Sequence, residues 1–253
     1  MKKILFLLIS ALFISCINNK DTAWQDLQLK GKVKTCTMFS MDIKERFGEE
    51  EESNIELIAF LHFNKKGVYL EQTSYLNGQI WWQIKYKRDV FGNAKEINFY
   101  NADGELENRE IPQKRLANGY IIASNIYDSD GALIGTNTYT YKEVSNPMEM
   151  IKMTRKDLEG NLVFQQTYEY DEKSNLSVMS GVLEDTAEYV VHYEYDAKGH
   201  KIKESRYSDT GELEGTTKWV YLSFDNHGNW LTGYSINENN VKTNLKREIV
   251  YYK

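Results

Sequence analysis

The chain has 253 residues, 31 Lys and Arg against 37 Asp and Glu, a formal net charge of −6 and 41% hydrophobic residues. An acidic chain with no basic stripe is unsuited to phosphate backbones, so nucleic acid is excluded as a partner. The 18 tyrosines and only two prolines favour sheet, because Tyr can line a pleated surface while its hydroxyl stays wet.

Residues 1–15 read as a targeting segment. Lys2 and Lys3 form a charged start and Ile4 to Ile14 are almost wholly apolar, a run too short to span a bilayer and fitting a signal peptide. Its end, Phe13-Ile14-Ser15-Cys16, resembles a bacterial lipobox, with Phe13 where Leu is usual. The resemblance implies that Cys16 is diacylated and becomes the mature N-terminus, tying the protein to the membrane of the bacterial envelope. The expected location is the outer membrane, on either its periplasmic or its surface face. Residues 16–23 are then the acylated N-terminus and a polar tether, and 24–253 one β-hairpin repeat domain. Lys20-Asp21 faintly resembles surface-export signals of Bacteroidetes lipoproteins. With Cys16 acylated, Cys36 is the one remaining thiol, so no intramolecular disulfide can form. It lies in the strand-like run Val33 to Phe39, where a structural role is expected. The acidic run Glu49 to Glu52 lacks the alternating ligands and glycine of a calcium loop and reads as a solvated loop.

From residue 63 onward a cassette recurs: an aromatic residue, two or three polar residues, then glycine. Its copies are Phe63-Asn64-Lys65-Lys66-Gly67, Tyr100-Asn101-Ala102-Asp103-Gly104, Tyr127-Asp128-Ser129-Asp130-Gly131, Tyr195-Asp196-Ala197-Lys198-Gly199, Tyr207-Ser208-Asp209-Thr210-Gly211 and Phe224-Asp225-Asn226-His227-Gly228. A degenerate copy begins at Tyr170 and carries Ser174 in place of glycine. Asp or Asn at the head of a turn bonds the backbone two residues on, and glycine three positions later supplies the positive φ that rejoins the next strand. The cassette is therefore a hairpin tip, a type I turn followed by a left-handed glycine. Gly67, Gly104, Gly131, Gly199, Gly211 and Gly228 are its structural glycines.

The segments between tips alternate with period two. Tyr189, Val191, Tyr193 and Tyr195 share one face. Phe164, Tyr168 and Tyr170 share a face with Gln166, and Val220, Leu222 and Phe224 oppose Trp219 and Tyr221. At typical strand lengths the array makes about twenty short strands. Pro147 falls in a loop signal and Pro112 suggests an edge or a break. The expected fold is an all-β, long antiparallel meander of repeated hairpins, twisted or partly closed, with an extended, much-solvated sheet and no thick core.

Chemistry-bearing motifs are sparse. His62, His192, His200 and His227 show no metal spacing, and no nucleophile elbow, P-loop or dinucleotide fingerprint occurs. No metal site, cofactor or catalytic residue is expected. Trp81, Trp219 and Trp230 are candidate stacking platforms for a ligand, against the alternative that they serve cross-strand packing.

The cassettes, with Tyr195 to Gly199 as the best copy, resemble RHS/YD repeats over roughly residues 29 to 230, and Leu29-Lys30-Gly31-Lys32-Val33-Lys34 is similar to the opening of short Bacteroidetes-type lipoproteins that carry them. Long RHS proteins wrap such strands into a shell around a toxin. This chain shows no separate toxin domain, so encapsulation is not implied. MORN-like antitoxin repeats are a weaker resemblance. The expected function is a lipid-anchored envelope binding or scaffold protein for an unidentified protein or glycan. An immunity or antitoxin-like role, and a carbohydrate-binding or carbohydrate-active role, stay open beside it.

Overall fold

The computed structural model describes residues 23–46, 49–142, 149–183 and 187–253. Cys16, most of the tether and Pro147 lie outside them. A short helical turn, α1 (Ala23–Asp26), precedes sixteen strands. The first eight are β1 (Val33–Arg46), β2 (Glu49–Phe63), β3 (Tyr69–Leu76), β4 (Gln79–Arg88), β5 (Ala94–Tyr100), β6 (Leu106–Arg115), β7 (Ile121–Asp128) and β8 (Leu133–Tyr141). The rest are β9 (Met150–Lys156), β10 (Leu162–Tyr170), β11 (Leu176–Leu183), β12 (Ala187–Tyr195), β13 (Lys201–Ser208), β14 (Leu213–Phe224), β15 (Trp230–Asn237) and β16 (Lys242–Tyr251). Each strand pairs antiparallel with the next, and β1 pairs with β16 through Cys36 opposite Ile249 and Met38 opposite Arg247.

The sheet is thus a fully closed barrel, which corrects the expectation of a twisted or partly closed meander. Closure removes both exposed edges of the long sheet. The strands are fewer and longer than expected because several run well past the typical length, β2 for 15 residues and β14 for 12. Glu49 to Glu52 begin β2 and are not a loop. Pro112 marks neither an edge nor a break. It lies within β6 opposite Ser124, beside a register shift, where the irregular ladder tolerates a missing N–H.

The tips follow from their sequence. In the Asp196 turn the Gly199 N–H donates to Asp196 O at 3.0 Å and the Asp196 N–H to His200 O at 2.9 Å. The Asp196 carboxylate also accepts the N–H groups of Lys198 and His200. Gly67, Gly104, Gly131, Gly199, Gly211 and Gly228 all have positive φ, and so does Ser174, at 61°, in the degenerate copy.

Alternation sorts the side chains between lumen and outer wall. On β8, Asn137, Tyr139 and Tyr141 are buried in the lumen while Thr138 and Thr140 are exposed. On β12, Tyr189, Val191 and Tyr193 point in while His192 and Glu194 point out. The aromatics therefore fill a closed core, which corrects the expectation of a thin, solvated sheet. On β14 it is Trp219 and Tyr221 that join the core, leaving Val220 and Leu222 exposed.

Candidate functional site: a plugged base and an acidic mouth

In an antiparallel meander the connections alternate between the two ends of the barrel. The turns β2–β3, β4–β5, β6–β7, β10–β11, β12–β13 and β14–β15 share one end, the base, with the segment leading into β1. The turns β3–β4, β5–β6, β7–β8, β9–β10, β13–β14 and β15–β16 share the other, the mouth. One position separates the two sets. The residue after the turn glycine is enclosed at the base, buried in Val68, Tyr120, His200 and Asn229 and half-buried in Asn93 and, after Ser174, Asn175, and it is exposed at the mouth, as in Glu105, Ala132, Glu212 and Val241. Base tips fold their last residue into the lumen, and mouth tips do not.

The segment before β1 plugs the base. Trp24 Nε1 donates to Val33 O at 2.9 Å, and its ring lies 6.4 Å from that of Phe63. Gln28, at φ 53°, donates from Nε2 to Asn175 Oδ1 at 3.1 Å, so the plug reaches the β10–β11 turn. The Lys30 N–H donates to Asn229 Oδ1 at 2.7 Å, and Asn229 Nδ2 donates back to Lys30 O at 2.9 Å. Gly31 passes under His227, whose ring stacks on Tyr251 at 4.3 Å. A Cβ at Gly31 would meet His227 Cδ2 at 2.8 Å. Ala23 and Leu29 thereby join the cluster of Phe63, Tyr69, Tyr86 and Trp230.

A ring of side-chain hydrogen bonds ties the hairpins together just above this plug. Arg88 Nε donates to Tyr69 O (2.8 Å), Tyr141 to Ile121 O (2.8 Å), Tyr170 to Met150 O (3.1 Å), Tyr195 to Leu176 O (2.9 Å) and Tyr221 to Lys201 O (2.6 Å). The Arg115 guanidinium reaches Ala94 O in the same way. Each acceptor is the first residue of an odd-numbered strand, and each donor lies at or near the end of the following even-numbered strand. Tyr252 donates to Phe63 O at 2.6 Å beside the β1–β16 seam. The sequence reading missed these links, although their signal was present in the aromatic or Arg residue that precedes each base turn.

The lumen also carries buried polar groups. Glu110 is 1% exposed and accepts hydrogen bonds from Ser124, from Tyr139 at 2.5 Å and from Asn137 at 3.0 Å. Burial pushes its carboxyl up, against the lowering effect of those three donors and of Arg155. Gln166 donates to the Tyr189 hydroxyl at 2.5 Å and accepts from Tyr168 at 2.7 Å. Lys201 pairs with Glu204 at 2.9 Å.

The candidate tryptophans fall in different places. Trp230 is 7% exposed and covered by the Arg247 guanidinium at 3.7 Å from its ring centroid. Trp219 packs on the base cluster under Lys201 at 4.1 Å. Neither is an outer-surface platform, because inward register puts both in the lumen. Trp81 is half-buried on β4, where the register to β3 shifts. Cys36 is buried, and burial pushes its thiol up, with Arg247 acting in the opposite sense. A thiol held protonated in this way suits packing and not reaction. His200 is buried against Tyr221 and Phe224 with Nδ1 3.0 Å from Asp196 Oδ2, whereas His192 is exposed and packs edge-on to Tyr207. Among the described residues no group of His, Cys, Asp and Glu is arranged to hold a metal ion.

The outer wall carries charged and hydroxyl side chains across most of its strands, with Val220, Leu222 and Val250 exposed on β14 and β16. Glu194, Lys203 and Lys218 stand side by side across β12, β13 and β14, and Thr140, Lys152, Thr167 and Ser180 across β8 to β11. Lys87 pairs with Glu96 at 2.8 Å and Lys203 with Glu194 at 2.7 Å on this surface. The mouth is acidic: its described turns carry Asp103, Asp128, Asp130, Asp157, Glu159, Asp209 and Glu238, and no Lys or Arg.

No protein-family model matches this chain, and no curated protein matches it. Among solved structures it is similar to a porin-like protein from Bacteroides uniformis, with a TM-score of 0.54 at 11% identity, covering 87% of this chain and 99% of that one. A porin-like protein from Bacteroides vulgatus aligns over 87% of this chain and 99% of its own at 9% identity, with a TM-score of 0.38. The Photorhabdus luminescens Tc holotoxin pore aligns over 81% of this chain and 14% of its own at 14% identity, with a TM-score of 0.35. At 11% identity the likeness to the Bacteroides uniformis protein is one of fold, a closed antiparallel β-barrel.

Proposed function

We propose that this chain is a lipid-anchored binding protein of the bacterial envelope, and that its barrel stands in water and is not a channel through the bilayer. The observation that carries this reading is the polarity of the wall. A membrane barrel turns an apolar band with aromatic girdles outward and keeps a polar interior. Here Tyr139, Tyr141, Tyr189 and Tyr193 line the lumen, and although Val220 and Leu222 are exposed, the charged Glu194, Lys203, Lys218 and Lys152 interrupt any apolar band on the outside. Each such lysine would cost up to about 2–4 kcal/mol at a bilayer midplane. A sixteen-stranded barrel ordinarily leaves an aqueous channel, but the segment around Trp24 fills this one at the base. The anchor is Cys16, on the lipobox resemblance, and the cassettes are of RHS/YD type. No catalytic role is assigned, because the buried carboxylate Glu110 is taken up by Ser124, Tyr139 and Asn137. The test is conductance across planar bilayers with the intact protein, alongside vesicle flotation of the parent and of Cys16→Ala. Flotation of the parent without conductance, lost in the variant, supports the reading. Stable conductance overturns it.

The acidic mouth favours a second reading, an immunity-like protein that holds a basic partner there. Capture of a basic protein from envelope extracts, weakened by salt and by charge reversal at Asp130 and Glu159, supports it. A glycan reading rests on Trp81 alone, since Trp219 and Trp230 are covered.

A further inference from the structure

We propose that the plugged base faces the lipid surface and that the β4–β5 turn, through Val90 and Phe91, inserts into the headgroup boundary. This rests on the lipid-anchor reading and adds an orientation to it. Val90 is 91% exposed and Phe91 76%, both large apolar side chains at the tip of one base turn. The other described base turns put Lys65-Lys66, Ala117-Asn118, Glu172-Lys173, Ala197-Lys198 and Asn226-His227 at the same two positions. The turn is held firmly, because the Asp89 carboxylate accepts the N–H groups of Phe91 at 2.9 Å and Asn93 at 2.8 Å, and Gly92 takes φ 93°. Lys66 Nζ also reaches Phe91 O at 3.4 Å from the neighbouring turn. Two apolar side chains fixed outward on a rigid tip gain nothing from water, and a lipid boundary would bury them.

Two independent features select lipid as the occupant. The first is the tether. Ile17 to Thr22 separate Cys16 from Ala23, and a chain extends at most roughly 3.3–3.6 Å per residue. The base, where Ala23 enters the plug, is therefore held close to the acyl chains of Cys16. The second is charge. Exposed Lys30, Lys65, Lys66, Lys173 and Lys198 surround the base and offset Asp89, Asp171, Glu172, Asp196 and Asp225 of its turns, whereas the described mouth turns carry acids and no Lys or Arg. Anionic headgroups repel the uncompensated acids of the mouth, while the base meets them with its exposed lysines.

The experiment uses the full-length lipoprotein, matured in cells and reconstituted into phosphatidylethanolamine–phosphatidylglycerol vesicles. An environment-sensitive thiol probe is placed singly at Val90→Cys on the base, at Ala117→Cys on a polar base turn and at Asp130→Cys on the mouth. Quenching by spin-labelled lipid is expected to be several-fold stronger at position 90 than at 117 and absent at 130. Adding Phe91→Ser should reduce the quenching at position 90. Vesicle flotation of the same samples separates the two claims. A protein that does not float overturns the anchor and this orientation with it. A protein that floats with equal quenching at 90 and 130, or with quenching at 130 alone, overturns the orientation and leaves the anchor standing.

Discussion

The Tyr195 hydroxyl donates to the backbone carbonyl of Leu176 at 2.9 Å, fastening the end of β12 to the start of β11. The same link recurs from Tyr170 to Met150 and from Tyr141 to Ile121. The tyrosine that ends the strand before each of these base turns, the cassette residue at Tyr170 and Tyr195, thus bridges one tip to the previous one and helps make a ring in space.

Tyr195→Phe should therefore cost about 1 kcal/mol, the net worth of one hydrogen bond with its packing kept. The carbonyl of Leu176 would be left without this donor. Denaturant melts of Tyr195→Phe, Tyr170→Phe and the double variant check this, with near-additive losses expected for separate links.

Two kinds of glycine should respond differently. At Gly104, φ is 78° and a Cβ would find nothing within 4 Å, so Gly104→Ala should cost only the left-handed backbone penalty of about 1–2 kcal/mol. At Gly233 a Cβ would lie 2.5 Å from Val220 O. Gly233→Ala must shift the backbone between β14 and β15, and a larger loss is expected. Conversely, Ser174→Gly relieves a left-handed serine and should raise stability by up to about 1 kcal/mol. Thermal melts of the three variants give the order.

Glu110→Ala would remove the acceptor shared by Ser124, Asn137 and Tyr139, leaving Asn137 only its bond to the Tyr139 hydroxyl. A loss of about 3 kcal/mol is expected, since each unsatisfied buried donor is costly. Glu110→Gln keeps an acceptor and should cost less. Burial raises the Glu110 carboxyl, so the folded state holds its proton where the unfolded chain has lost it. That contribution is complete below the unfolded value of about 4.3 and is lost as pH rises through the folded one. The deficit of Glu110→Gln relative to the parent should accordingly shrink from acid toward neutral pH in urea melts.

The turn aspartates act in the opposite sense. At Asp225 burial pushes the carboxyl up, but hydrogen bonds from the Tyr251 hydroxyl, from Asn229 and from the His227 N–H together outweigh it and hold it low. Asp171 and Asp196 are lowered by their own turn bonds against the same upward push of burial. A lowered carboxyl contributes stability that is present above the unfolded value of about 3.9 and lost as pH falls through the folded one. Asp225→Ala should therefore be least stable relative to the parent near neutral pH, and the gap should close in acid. Circular dichroism melts from about pH 7 down to about pH 2.5 span that window.

Much of this fold was legible because it is local. Asp196 and Gly199 specify their turn within four residues, and the alternation from Tyr189 to Tyr195 specifies an in–out strand whatever lies beside it. The glycine at positive φ and the aromatic face are consequences of covalent geometry and period, which a single segment carries whole. The candidate tryptophans were harder to place, because Trp219 and Val220 are both apolar and only the neighbouring strands decide which one is enclosed.

Closure, by contrast, depends on Cys36 pairing with Ile249, and no local pattern encodes a ladder between the two ends of a chain. The difference between base and mouth has the same origin, since in tips of similar sequence the residue after the glycine is enclosed at the end that the Trp24 segment enters and exposed at the other. Glu110 carries no motif, and its three donors come from β7 and β8. Turns and alternation were therefore set by the sequence itself, through short-range sterics and hydrogen bonding. Closure, the plug and the buried carboxylate were decided only in the tertiary structure, where long-range register chooses which side chains meet.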